Sequence, residues 1–146
     1  VGVFLVVVDV DLAAGEAWRR VLDLRMHSRV IPLTTVTGDA LSADELGRGS
    51  RFVARTALGP MGFDDPMVVD DIREPAGGGA GVARIHKEGK VIRGWIELRV
   101  TPLASGSRVE WDQDIRVRWV PTLLEPVAAQ VARAAYGTAI RRLLRG

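Results

Sequence analysis

The chain changes character at Pro121. From about Arg48 to Val120 it reads as short extended runs, and from Pro121 to Arg145 as one long, alanine-rich amphipathic helix. Leu124, Ala128, Val131, Ala135 and Thr138 recur at helical spacing and form the stripe expected to face inward. Most of these side chains are small. A long helix laid over a curved antiparallel sheet with short side chains beneath it leaves room, so a ligand-sized cavity is expected there.

With 146 residues, the chain is expected to form a single domain, residues 1–146, large enough for a core that contains a cavity. A composition that is 47% hydrophobic and 26% charged excludes disorder. There is no cysteine, which removes disulfides, thiolate nucleophiles and cysteine metal sites and fits a reducing cytoplasm. The net charge of +2 is spread among acids. Arg141, Arg142 and Arg145 complement the dipole of the last helix, so no nucleic-acid partner is expected. The longest uncharged apolar run, Val1 to Val8, is too short to span a membrane and lacks the flanks of a signal peptide. The missing initiator Met suggests that a few native residues precede Val1.

Along the chain, Val3 to Val10 reads as a strand and Asp11 as the cap of a helix over Ala13 to Leu24. A shorter helix over Arg25 to Val30 stops before Pro32, because a residue preceding proline leaves the α region. Thr34 to Thr37 is extended. In Arg51 to Leu58, Phe52, Ala54, Thr56 and Leu58 alternate inward. Gly59-Pro60-Met61-Gly62 is a turn, and Phe63 to Ile72 is a strand in which Pro66 predicts an edge or a bulge. Strands follow over Val82 to Lys87 and Lys90 to Thr101, the latter with Ile92, Gly94, Ile96, Leu98 and Val100 on one face. From Arg108 to Trp119, Val109, Trp111, Gln113, Ile115, Val117 and Trp119 alternate with a ladder of charges expected in solvent. The fold class is α+β: seven antiparallel strands in one curved sheet, two short helices after the first strand, and a long C-terminal helix over a cavity.

That order is the helix-grip arrangement, and particular residues resemble a known group. The corner Asp23 to Thr34, with His27, Pro32, Leu33 and Thr34, is similar to the helix-to-strand corner of actinobacterial START-like (SRPBCC) proteins, the superfamily of polyketide cyclases/dehydrases and pollen-allergen-like proteins. So are Phe52-Val53-Ala54-Arg55-Thr56, the block Leu58-Gly59-Pro60-Met61-Gly62-Phe63-Asp64-Asp65-Pro66-Met67, Gly94-Trp95 and the Arg-rich last helix. The resemblance covers nearly the whole chain. It implies a hydrophobic cavity between sheet and C-terminal helix, and it puts His27 near the entrance. Members range from lipid carriers to aromatase/cyclases, so kinship of fold leaves the chemistry open.

Among candidate residues, Gln113 is a polar amide on an apolar strand face and is either a ligand anchor or a locally satisfied core amide. Thr56 is a second inward polar group, and Trp111 and Trp119 either stack on a flat ligand or simply pack. His27 is a candidate base at neutral pH, with helix capping or a surface role as the alternative. Asp65, if it faces inward with Phe63 and Met67, is an acid or base with a pKa raised by burial. Asp64 is expected to cap the turn. His27 and His86 are far apart and lack a spaced partner, so neither a metal nor another cofactor is expected. No phosphate-cradling loop or nucleophile elbow is present.

The leading expectation is therefore a binding protein for a small lipid-like or polycyclic ligand. The ligand-binding residues are expected to be Phe52, Thr56, Met67, Ile96, Leu98, Trp111, Gln113, Ile115, Leu124, Ala128, Val131 and Ala135. A polyketide cyclase/aromatase that folds a reactive chain, with His27 or Asp65 moving the proton, is the second reading. A packed module for a protein partner, with no cavity, is the third.

Overall fold

The computed structural model describes residues 3–118 and 120–145, with all their side chains except those of Leu58 and Thr122. Trp119 and the side chain of Leu58, both expected inward, lie outside the described residues. The elements follow the expected order: β1 (Val3–Val10), α1 (Ala14–Val21), α2 (Leu24–Val30), β2 (Thr34–Gly38), β3 (Arg51–Leu58), β4 (Met61–Arg73), β5 (Gly81–Glu88), β6 (Ile92–Pro102) and β7 (Ser107–Val117). A 3-10 turn, Thr122–Leu124, then leads into α3 (Glu125–Arg145). All seven strands form one antiparallel sheet in the order β1-β7-β6-β5-β4-β3-β2.

In α1, Ala14, Ala17, Trp18 and Val21 are buried at i, i+3, i+4 and i+7, which fixes the face laid on the sheet. Glu16 meets Arg19 and Arg20 on its outer side. Ala13 occupies the cap position without a side-chain bond, so Asp11 does not cap this helix as expected. The first helix stops at Val21, earlier than Leu24, because α2 begins there: the amide of Leu24 donates to the Leu41 carbonyl at 2.9 Å. Helix α2 ends at Val30, and Ile31 is extended (φ −102°, ψ 114°) ahead of Pro32, as the steric argument requires.

The strand faces follow the alternation closely on β6 and β7. Ile96, Leu98, Val100, Val109, Trp111 and Gln113 are all buried on the inner face. Gly94 has φ 138°, and a Cβ there would stand 1.8 Å from the Asp114 carbonyl oxygen, so only glycine fits. The outer charge ladder is not wholly solvated: Asp114 is buried, lying opposite the Trp95 ring and bonded to Arg116 at 3.1 Å. Pro66 lies in β4, an inner strand, but its pairing with β5 begins only at Met67, so its missing N–H costs no ladder bond there. The bulge in β4 falls later, between Val69 and Asp71.

Helix α3 packs on β1, α1 and α2. Its buried residues are Ala129, Gly137, Ala139, Ile140, Leu143 and Leu144, with Ala128, Ala132 and Tyr136 half-buried. The expected stripe is therefore rotated. Leu124, Val131, Ala135 and Thr138 are exposed, Val131 by 66%, and of that stripe only Ala128 turns inward. The physical reason is the C-terminal end: Ile140, Leu143 and Leu144 are its large apolar side chains, and they set the phase by packing inward. Arg20 fastens the same end by donating to the Leu144 carbonyl at 2.7 Å. Truncating Ile140 to Ala is expected to lower unfolding stability by about 2–5 kcal/mol, whereas Val131→Ala should change it by no more than about 0.5 kcal/mol. Urea unfolding of both variants checks the phase.

Candidate functional site

Where α2 and α3 lean over the sheet, an enclosed apolar cavity remains. Leu24, His27, Ile31 and Tyr136 form its helical side, and Phe52, Ala54, Met67, Ile85, Ile96 and Trp111 its sheet side. Its volume is about 40 Å³, room for a little water and far below the several hundred Å³ of a typical ligand site. A hollow of about 530 Å³ lies at the sheet end, an open surface groove in which Val91, Val117 and Val120 alternate with Lys90, Arg93, Arg116, Arg118 and Glu125. Open to solvent, it shields a ligand less than the enclosed cavity does.

Aromatic rings join the two sides of the cavity. Trp111 stacks on Tyr136 with ring centres 5.8 Å apart, and Phe4 meets Tyr136 from the other side at 5.7 Å. Trp111 is held by its own strand: its indole N–H donates to Gln113 Oε1 at 2.9 Å. That bond uses the acceptor half of Gln113. The fully buried amide nitrogen of Gln113 has no partner among the described residues. Gln113 thus orients the cavity tryptophan and keeps two unspent N–H groups behind it.

His27 is buried on the helical side, 6.3 Å from the Trp111 ring. Its Nε2 lies 2.7 Å from the Val21 carbonyl, which only accepts, so Nε2 carries the proton. Burial pushes the imidazole pKa down, with the Val21 carbonyl and the charge of Asp23 pulling weakly the other way. The ring is therefore neutral near pH 7, and its Nδ1 is a hydrogen-bond acceptor. Through its bond to Val21, His27 caps the last carbonyl of α1, the capping role expected as the alternative, and it does so from a buried position that excludes a surface role.

Asp65 faces inward, as expected on the condition that it pairs with Met67 on one face, and both are buried. Burial raises its pKa against the pull of Lys87. Lys87 on β5 was not foreseen. Its ammonium, with the side chain fully enclosed, donates to Asp65 Oδ2 at 2.5 Å and lies 3.7 Å from Met67 Sδ. The signal was available: Ala83, Ile85 and Lys87 share one face by period two, so the lysine follows two buried apolar residues inward. Tyr136 was also missed, because the expected stripe of α3 was out of phase with it.

Of the other expected site residues, Phe52, Met67, Ile96 and Trp111 line the cavity. Leu98 is buried in the core behind it and Ile115 packs half-buried against that core. Thr56 shares a hydrogen bond with Thr34 across β2 and β3 at 3.1 Å, which uses its hydroxyl locally. Leu124, Val131 and Ala135 point away from the cavity, and Ala128 is half-buried. Among the described residues, no three His, Asp or Glu side chains are grouped to hold a metal ion, and no helix is long and apolar enough to cross a membrane.

No family model and no curated protein matches the chain in sequence. Solved structures match it in shape over almost its full length. The hypothetical protein jhp0584 from Helicobacter pylori superposes with TM-score 0.73 at 12% identity, over 98% of this chain and 84% of that one. Ara h 8.0201 gives 0.68 at 8% identity, over 99% and 98%. Norcoclaurine synthase from Thalictrum flavum, in complex with dopamine and hydroxybenzaldehyde, gives 0.61 at 14% identity, over 97% and 85%. The chain has the helix-grip fold of these structures. In this frame the cavity lies where the sequence resemblance implies one, between the sheet and the last helix, with α2 as its second helical wall.

The neutral state of His27 has a definite consequence. Because its folded pKa lies below 6.5, the unfolded chain takes up a proton that the folded chain refuses, so its contribution to stability is present above pH 6.5 and is lost as pH falls through that value. His86 works in the opposite sense, since its bond to Glu88 and then its pairing with Asp70 raise its pKa. The difference in unfolding free energy between wild type and His27→Gln cancels the His86 contribution. That difference should shrink on going from pH 7 to pH 5, with a limiting slope of about 1.4 kcal/mol per pH unit. Chemical denaturation across this range measures it, and a flat difference would mean that the folded imidazole takes up its proton as readily as the unfolded one.

Proposed function

We propose that the protein binds a small, flat, largely apolar molecule in the cavity between sheet, α2 and α3. The observation that carries this reading is an apolar, aromatic-lined space between sheet and helices whose lining includes one polar ring, the neutral imidazole of His27. A buried polar group facing apolar surroundings is costly unless it finds a partner, and a hydroxyl or N–H on a bound ligand supplies one.

At about 40 Å³ the cavity is closed, so binding requires it to expand. The N-terminal half of α3 is the segment suited to move. It is held by Ala128, Ala129, Ala132 and Tyr136, while Leu123, Leu124, Val127 and Val131 are exposed. Alanines bury little surface, so displacing this half of the helix costs less than displacing the Ile140–Leu144 end. A bicyclic aromatic that buries about 200 Å² of apolar surface gains roughly 5 kcal/mol before ordering costs, enough to offset such a shift. A protein of the same fold is seen with dopamine and hydroxybenzaldehyde, which supports ligands of this size and flatness.

A cyclase-type reaction is the second reading, and His27 favours it, since a neutral imidazole on the cavity lining is a group that can take a proton from a bound ligand. A thermal-shift series tests the binding reading. Polycyclic phenols should raise the melting temperature of the wild type in a saturable way. Ala54→Leu, which fills the remaining space, should keep or raise the unliganded melting temperature and lose the ligand response. An unchanged response in Ala54→Leu would put the ligand elsewhere, and no response in either would favour a packed module.

A further inference from the structure

The buried ion pair on β4 and β5 has more hydrogen-bonding capacity than the fold uses. Asp65 Oδ2 accepts from Lys87, while Oδ1, equally buried, has no partner among the described residues. A carboxylate only accepts, so Oδ1 lacks a donor. An ammonium has three N–H groups; one of those on Lys87 goes to Asp65 and a second is directed at the thioether of Met67, a weak acceptor. Side by side, the pair therefore offers one vacant acceptor and a donor capacity that is poorly spent.

Position ties this pair to the cavity. Asp65 stands opposite Ala54 in the β3–β4 ladder, and Lys87 stands opposite Met67 in the β4–β5 ladder. Ala54 and Met67 both line the cavity, and Met67 is the side chain in contact with the Lys87 ammonium. Rotation of one flexible thioether would bring a cavity ligand against the pair.

We propose that Lys87 and Asp65 form the polar subsite of the cavity, selecting a neutral ligand head that carries a hydrogen-bond acceptor next to a donor, as in a primary carboxamide. The carbonyl oxygen of such a head replaces the Met67 sulfur on the Lys87 ammonium, and its N–H donates to Asp65 Oδ1. The pair is neutral as a whole, so an anionic head gains nothing: its charge meets the Asp65 carboxylate at close range. The subsite thereby selects against free carboxylic acids, including fatty acids, and for neutral amide-like or enol-like heads. This inference rests on the cavity-binding reading above.

A matched series of naphthalene probes tests it by calorimetry: naphthalene itself, 2-naphthamide, methyl 2-naphthoate and 2-naphthoate. The amide should bind the wild type at least about tenfold more tightly than the ester, which lacks the donor, and than the carboxylate. In the double variant Asp65→Leu/Lys87→Met, which removes both charges together, the amide and ester should come within about twofold of each other, while naphthalene binding persists. Equal affinities in the wild type, or a preference that survives in the double variant, would overturn the subsite. Failure of every probe to bind would overturn the cavity reading along with it. A second measurement needs no variant: amide protons of bound 2-naphthamide should show nuclear Overhauser contacts to the Met67 methyl group, and saturating binding without them would count against the proposal.

Discussion

The architecture depends on a connectivity constraint. β1 and β2 are the opposite edges of the sheet, and only α1, α2 and short turns join them in the chain. Those two helices must therefore cross the full width of the inner face. α1 lies over β6 and β7 and α2 against β2, so the far edge at β1 is left for α3 to cover. Helix α3 packs on both α1 and α2, so the three helices close over the sheet without filling all the space beneath them. The cavity bounded by Trp111, Phe52, His27 and Tyr136 is the gap they leave.

Buried polar groups near the cavity set this interior apart from a purely apolar core. The interior holds polar atoms without partners among the described residues: the amide nitrogen of Gln113 behind Trp111 and Oδ1 of Asp65 beside the cavity. Each such group costs on the order of 1–3 kcal/mol. His27 adds a neutral imidazole with one nitrogen spent on Val21. Gln113 and His27 serve the packing through their bonds to Trp111 and Val21, and in the function proposed above the capacity left over is what a ligand would meet. Helix α3 shows the same division, with Ile140, Leu143 and Leu144 anchoring one end and small side chains under the other.

The legible parts of the fold were those in which both faces of an element differ strongly. β7 alternates so regularly that its buried inner set, including Gln113, follows from period two, with the buried outer Asp114 as the exception, and the element order follows from turns and prolines. The phase of α3 was not legible because alanines occupy several stripes at once. Leu124 and Val131 drew the expected face one way, while the packing of Ile140 and Leu144 at the far end decided it the other way. Asp65 was legible as an inward carboxylate, but its partner was not, because the Lys87–Asp65 contact depends on a β4–β5 register that passes through a bulge at Val69–Asp71. Cavity volume was beyond reach for the same reason: it depends on how far α2 and α3 settle, a tertiary balance with no local signature.

The central claim, that the aromatic-lined gap is the ligand site, is tested most directly by the tryptophan indole signals in a ¹⁵N–¹H spectrum during titration with 2-naphthol. Trp111 lines the cavity and donates its indole N–H to Gln113, whereas Trp95 lies on the outer face of the sheet. A saturable shift of the Trp111 indole signal with Trp95 unmoved is the predicted result. A saturable shift at Trp95 with Trp111 unmoved would contradict the account.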